Sequence, residues 1–219
     1  MLIERGRVTV DGEKARIGDR IDPLASVVAI DGVRLPLNPD DRTWLVYKPA
    51  GVVSTMDDPQ GRPLVTDLVP SDPVTKPVGR LDLHSEGLIL LTNDGDLALR
   101  VTHPRYGVEK VYHVMSPMKV TQRHVAALLD GVNLDDGPAR AKRARIVSSH
   151  GGRSIVEVVM TEGRKREVRR LFEAVGIEVD RLVRTTIAGI SDRTLAPGDY
   201  RAVTLDEIRA IYEQAGDAP

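Results

Sequence analysis

Arg80 and Asp82 stand two residues apart in the segment VGRLDLHSEGLILLTNDG, residues 78–95. An extended chain turns both side chains to one face. Read alone, an Arg-x-Asp pair is a surface ion pair of little energetic worth. The chain has no cysteine, which excludes thiolate nucleophiles, disulfides and thiolate metal or iron–sulfur sites, so any catalysis rests on oxygen and nitrogen groups. His103, His113, His124 and His150 show no metal-ligand spacing and read as structural or surface residues. Asp94 and Asp96 only superficially suggest a calcium loop, because Ala98 and Leu99 stand where further oxygen ligands belong. A second segment, TWLVYKPAGVVST at 43–55, reads as a strand that stops at Lys48-Pro49 and turns at Ala50-Gly51.

Over 219 residues the formal net charge is −1, at first sight an argument against a polyanionic partner. Its distribution points the other way. Residues 138–170 carry ten basic side chains against three acidic ones, which can form a one-sided footprint for nucleic acid, although such a run is more often a solvated face. No stretch approaches the roughly 18 apolar residues of a membrane span, and the first ten residues lack the apolar run of a signal peptide. The expected setting is the cytoplasm, with no membrane contact.

The elements that must position these groups follow from periodicity. Both Asp11-Gly12 and Asp31-Gly32 are flanked by apolar runs, a strong hairpin signal. The proline-rich LPLNPDD at 35–41 is the best linker, giving a small unit over 1–37 and a catalytic-size domain over 38–219. There, strand-like runs at 44–48, 88–92, 108–114, 143–147 and 154–160 alternate with helical patterns. Thr121 can cap one helix, and Thr204 with Glu207 has the form of a capping box for the last. The clearest helix spans 165–175, with Val168, Leu171, Phe172 and Val175 on one face. The expected fold is α+β, with a mainly antiparallel mixed sheet flanked by helices.

Taken in order, YKPAGVVST, GRLD followed by EGLILLTNDG, EKVYHV and EGRKREVRRLF resemble the RsuA/RluB group of ribosomal RNA pseudouridine synthases. DGPARAK at 136–142 and the segment 161–176 are most similar to the RluB type, which acts on large-subunit RNA. The resemblance covers residues 42–210. It implies an isomerase that breaks the N-glycosidic bond of a uridine, turns the base and joins C5 to C1′, with no cofactor and no metal. It places the aspartate nucleophile at Asp82, the tyrosine that packs on the base at Tyr112, and the basic residue facing the aspartate at Arg164. Arginine suits that place through its planar, permanently charged fork. Arg80 falls beside the flipped nucleotide, with Lys48, Lys110, Lys165, Arg166, Arg169 and Arg170 as further RNA-binding residues. For Lys110 a solvated strand lysine is an equal reading. The family's Asp and Thr after GRLD are here His84 and Ser85; His84 reads as a rim residue and Ser85 keeps the hydroxyl.

Aromatic residues are 3% of the chain, too few for a sheet of stacked bases, so recognition is expected to rest on phosphates, shape and one extruded base. Residues 1–37 resemble the later half of an S4 RNA-binding module whose earlier basic helices are missing; the rival reading is a small β extension. The expected partner is ribosomal RNA, bound by a monomer. A non-catalytic assembly factor with the same fold is the alternative, which an intact Asp82, Tyr112 and Arg164 disfavour.

Overall fold

The computed structural model describes residues 1–22, 26–35 and 40–215. The linker expected near residue 38 lies outside them. Four short strands, β1 (Val8–Val10), β2 (Glu13–Lys14), β3 (Val28–Ile30) and β4 (Val33–Leu35), form an antiparallel sheet in the order β2-β1-β3-β4. Both Asp-Gly pairs turn as their sequence requires. Asp11, Gly12, Asp31 and Gly32 all have positive φ, at 51°, 87°, 53° and 83°, the two-residue turn whose twist matches paired strands. Val8, Ala15 and Val28 make a small core of their own.

The larger part of the chain runs through β5 (Thr43–Lys48), β6 (Lys76–Pro77), β7 (Ser85–Thr92), α1 (Gly95–Thr102), β8 (Lys110–Ser116), α2 (Gln122–Asp130), β9 (Val132–Leu134), β10 (Gly137–Ala139), β11 (Arg143–His150), β12 (Arg153–Met160), α3 (Glu167–Ala174), β13 (Arg181–Ile187), β14 (Tyr200–Ala202) and α4 (Leu205–Ala215). An eight-stranded sheet has the order β11-β12-β8-β13-β7-β5-β14, with β6 on β7. Its pairs are antiparallel except β7 with β13, as the mixed, mainly antiparallel expectation requires.

Both faces are covered, which explains why LILLT is continuously apolar. Ile89 and Leu91 meet Val125 and Leu128 of α2 and Leu171 and Phe172 of α3 in one core. Leu88 and Leu90 meet Leu97 of α1 and Ile208 and Ile211 of α4 in the other. A strand alternates its side chains, so one buried on both faces has no place for a polar residue.

Capping chemistry sets the helix ends. Thr204 and Glu207 form the expected box, with Thr204 N donating to Glu207 at 2.8 Å and Glu207 N donating to Thr204 Oγ1 at 3.2 Å. Asn93-Asp94-Gly95 is more than a turn: Asp94 accepts from the backbone N–H groups of Asp96 and Leu97 and starts α1, a helix the turn signal had hidden. Helix α3 begins at Glu167, later than the apolar periodicity predicts, because Arg166 is left-handed at φ 51°. Glu167 turns back to accept from Arg164 N at 3.1 Å.

At the β7–β13 contact, Gly87 lies against Arg184. A Cβ there would stand 2.2 Å from the Arg184 carbonyl oxygen, and the φ of Gly87 is +106°. Gly87→Ala is expected to cost about 2–5 kcal/mol of stability, read as a fall in the denaturation midpoint; an unchanged midpoint would contradict the close approach.

Lys48, expected on RNA, is wholly buried. Its Nζ donates to the carbonyls of Pro49 and Val52 at 2.8 Å each and reaches that of Leu83 at 3.5 Å, so it ties the turn after β5 to the loop before β7. Burial pushes its pKa down to about 8, against the pull of Glu86 and Asp82. The unfolded chain keeps that proton to higher pH, and stability therefore rises from about pH 8 towards the ordinary lysine range. In Lys48→Met this alkaline rise shrinks in pH-dependent chemical denaturation; an identical slope would refute the shift.

Candidate active site

The GRLD loop is held from below by the first motif. Ser54 Oγ donates to Leu81 O at 3.1 Å and accepts from Leu81 N at 3.2 Å, while Gly51 N donates to Leu83 O at 2.8 Å. Asp82 O accepts from Ser85 N at 3.0 Å, where β7 starts. The loop is thus fixed on both sides of Asp82. Ser54 was not singled out from the sequence; its position in the same motif as Lys48 was the available signal.

A recess of about 50 Å³ brings together Arg80, Asp82, Ser85, Tyr112, Arg164 and Arg166. Asp82 is half-buried, and its carboxylate has no hydrogen bond or ion pair among the described residues. Tyr112 is 8% exposed and pairs across β13 with Arg184, whose guanidinium lies 6.0 Å from the ring centre, at the limit of a cation–π contact. Arg184 is buried and donates through Nε to Leu88 O at 2.6 Å, while its Nη2 is buried without a partner. The Ser85 hydroxyl is likewise buried and unpaired. His84 is exposed, as a rim position requires.

Arg164 borders this recess, but its guanidinium is engaged elsewhere. It bonds Glu167 at 3.0 Å, Asp136 at 3.1 Å and the carbonyl of Pro138 at 2.8 Å, with Glu162 at 3.5 Å. None of these bonds goes to Asp82, so the expected pairing of Arg164 with the aspartate is not made. Asp136 and the Pro138 carbonyl hold its guanidinium on the β9–β10 hairpin instead. The cation that feels Asp82 from the same motif is Arg169: burial pushes its pKa down, Arg166 adds to this, and the charge of Asp82 opposes both. Arg169 donates to Val179 O at 3.1 Å and to His84 O at 3.3 Å, two residues beyond Asp82.

Several expected RNA contacts are therefore interior groups. Lys48, Lys110 and Arg169 are buried, and Arg170 is half-buried in a two-bond pair with Asp136 at 2.9 and 2.8 Å. Lys110 is an interior group rather than a solvated strand lysine. Its pKa falls to about 8 through burial and the neighbouring Arg184, against Glu167. Arg80, Lys165 and Arg166 are exposed. The basic run is also largely neutralised. Lys142 and Arg143 pair with Glu109 and Arg145 with Glu157, leaving Arg140, Arg153, Lys165 and the buried Arg169 without an ion pair among the described residues.

Comparison with known proteins gives the family. Residues 42–174 match the family model described as RNA pseudouridylate synthase. The chain is 44% identical to an uncharacterized RNA pseudouridine synthase of Mycobacterium leprae over 98% of its own length and 86% of that protein's. It is 39% identical to ribosomal large subunit pseudouridine synthase B of Pasteurella multocida, over 98% of this chain and 65% of that one. A crystal structure of a pseudouridylate synthase superposes with a TM-score of 0.70 at 28% identity, covering 96% of this chain and 90% of the other. Motifs, fold and relatives together place the chain in the RNA pseudouridylate synthase family, as an isomerase that acts on RNA.

Proposed function

We propose that the chain converts a specific uridine of ribosomal RNA, in the large subunit, to pseudouridine, working as a monomer with Asp82 as nucleophile on an extruded base. The observation that carries this reading is the Asp82 carboxylate: fixed by its backbone, half-buried beside Tyr112, and free of any protein partner among the described residues. A carboxylate engaged in an ion pair is a poor nucleophile; one held near but not bonded to cations keeps its lone pairs available. Arg169 and Lys48 supply that field, since the charge of Asp82 acts on both. The large-subunit target is supported by relatives named for that substrate.

The reaction needs no outside group. As the N-glycosidic bond breaks, the base turns, C5 bonds to C1′, and the C5 proton is lost to solvent or to a base while N1 gains one. Tyr112, on the wall of the recess, packs on the ring in this reading. At about 50 Å³ the recess is smaller than the roughly 150 Å³ cavity that holds a benzene ring. The base therefore enters as the exposed Arg80 and Arg166 side chains at the recess swing aside, and a guanidinium can fill the gap left in the RNA. The sheet of residues 8–35 serves in this reading as an S4-like contact to RNA.

Asp82→Asn is expected to lower the rate by at least about 10³-fold while RNA binding persists. Carbodiimide primer-extension maps of large-subunit RNA treated with either protein check this, and a map left unmodified by the wild type would overturn the target. Arg169→Met is expected to reduce kcat by about 10²-fold with little change in RNA affinity, because its guanidinium acts from inside the protein. A loss confined to affinity and its salt dependence would instead make Arg169 a phosphate contact.

A further inference from the structure

A recess of about 810 Å³ lies beside the Asp82 recess, and the two share Glu162, Arg164 and Glu167 along their border. Its volume falls within the roughly 300–1,000 Å³ of small-molecule sites. The floor is aliphatic, with Val132, Ala141 and Met160. Its polar groups differ in hydrogen-bond sense: Asp130 offers acceptors, Arg140 donors, and Asn133 both. All three are exposed, and their side chains have no hydrogen bond or ion pair among the described residues.

The wall that carries Asn133 and Arg140 is held rigidly. Asp136, in the turn between β9 and β10, accepts from both Arg164 and Arg170, and Arg164 also bonds the Pro138 carbonyl. This ties the hairpin to the start of α3. The lining sets three cations, Arg140, Lys142 and Arg164, against three carboxylates, Asp130, Glu162 and Glu167, so a phosphate gains no net charge complement here. A nucleobase meets what is present: a flat apolar face for the floor, donors and acceptors on its edge, and a guanidinium able to stack or bond.

We propose that this recess takes a second unstacked nucleobase, from a nucleotide flanking the target uridine, and that Asn133 and Arg140 read its edge. The assignment rests on the Asp82 recess being the uridine site, because the shared border makes the two occupants neighbours along one strand. It makes Asn133 and Arg140 specificity-determining residues outside the chemistry.

The test uses stem-loop substrates with a single abasic nucleotide at each position flanking the target. RNA affinity is measured in the Asp82→Asn background, alone and combined with Asn133→Ala or Arg140→Ala. One abasic position is expected to weaken binding about tenfold; each substitution weakens binding of intact RNA by a similar factor and adds little on that abasic RNA. Abasic penalties that are absent everywhere, or that persist undiminished in both substituted proteins, overturn the proposal. Because affinity is read without turnover, this result is independent of the Asp82 role: pseudouridine formed by Asp82→Asn would sink the nucleophile and leave the base-reading recess to its own outcome.

Discussion

The molecule depends on one close contact between two strands that run the same way. β7 and β13 pair in parallel through Ser85–Gly87 and Leu182–Arg184, joining two antiparallel halves of the sheet, and Gly87 permits the approach because it has no side chain. Asp82 lies just before one of these strands. Tyr112 is paired with the other. The recess is therefore a seam, and the distance between its two halves is set by backbone packing rather than by the side chains that face the substrate.

Interior positive charge is the second constraint. Lys48, Lys110, Arg169 and Arg184 are all buried near this seam, whereas Glu167 is the buried carboxylate among the described residues. Such groups are costly to desolvate. Lys48 offsets that cost with carbonyls and Arg169 with two more, though Arg169 and Arg184 each keep a buried unpaired nitrogen. Lys48 and Arg169 each feel the charge of Asp82, a positive environment reached without a bonded pair that would occupy the carboxylate.

Much of this was legible in the sequence because the signals were local. The Asp-Gly hairpins, the strand LILLT and the Thr204 capping box each follow from a few adjacent residues. Asp82, Tyr112 and Arg80 were placed by motif and do meet in one recess. What was not legible depended on distant partners. β13 contains Arg181 and Arg184 and lacks clean alternation, since Arg181 is tied to Glu86 and Arg184 is buried against β7. The bonding of Arg164 has the same origin: in EGRKREVRR the arginines look equivalent, and it is the distant Asp136 and Pro138 that take the guanidinium of the one bordering the Asp82 recess. A count of cations along the chain likewise could not reveal that Glu109, Asp136 and Glu157 answer five of the ten in residues 138–170.

The double grip of Arg164 and Arg170 on Asp136 has a consequence for how such a protein can change. The same short helix start carries Arg169, which bonds the aspartate loop, so under the proposed reading a substitution that tilts α3 would disturb turnover and target choice together. Divergence towards a new RNA would then have a freer route through Asn133 and Arg140, whose side chains have no hydrogen bond or ion pair among the described residues.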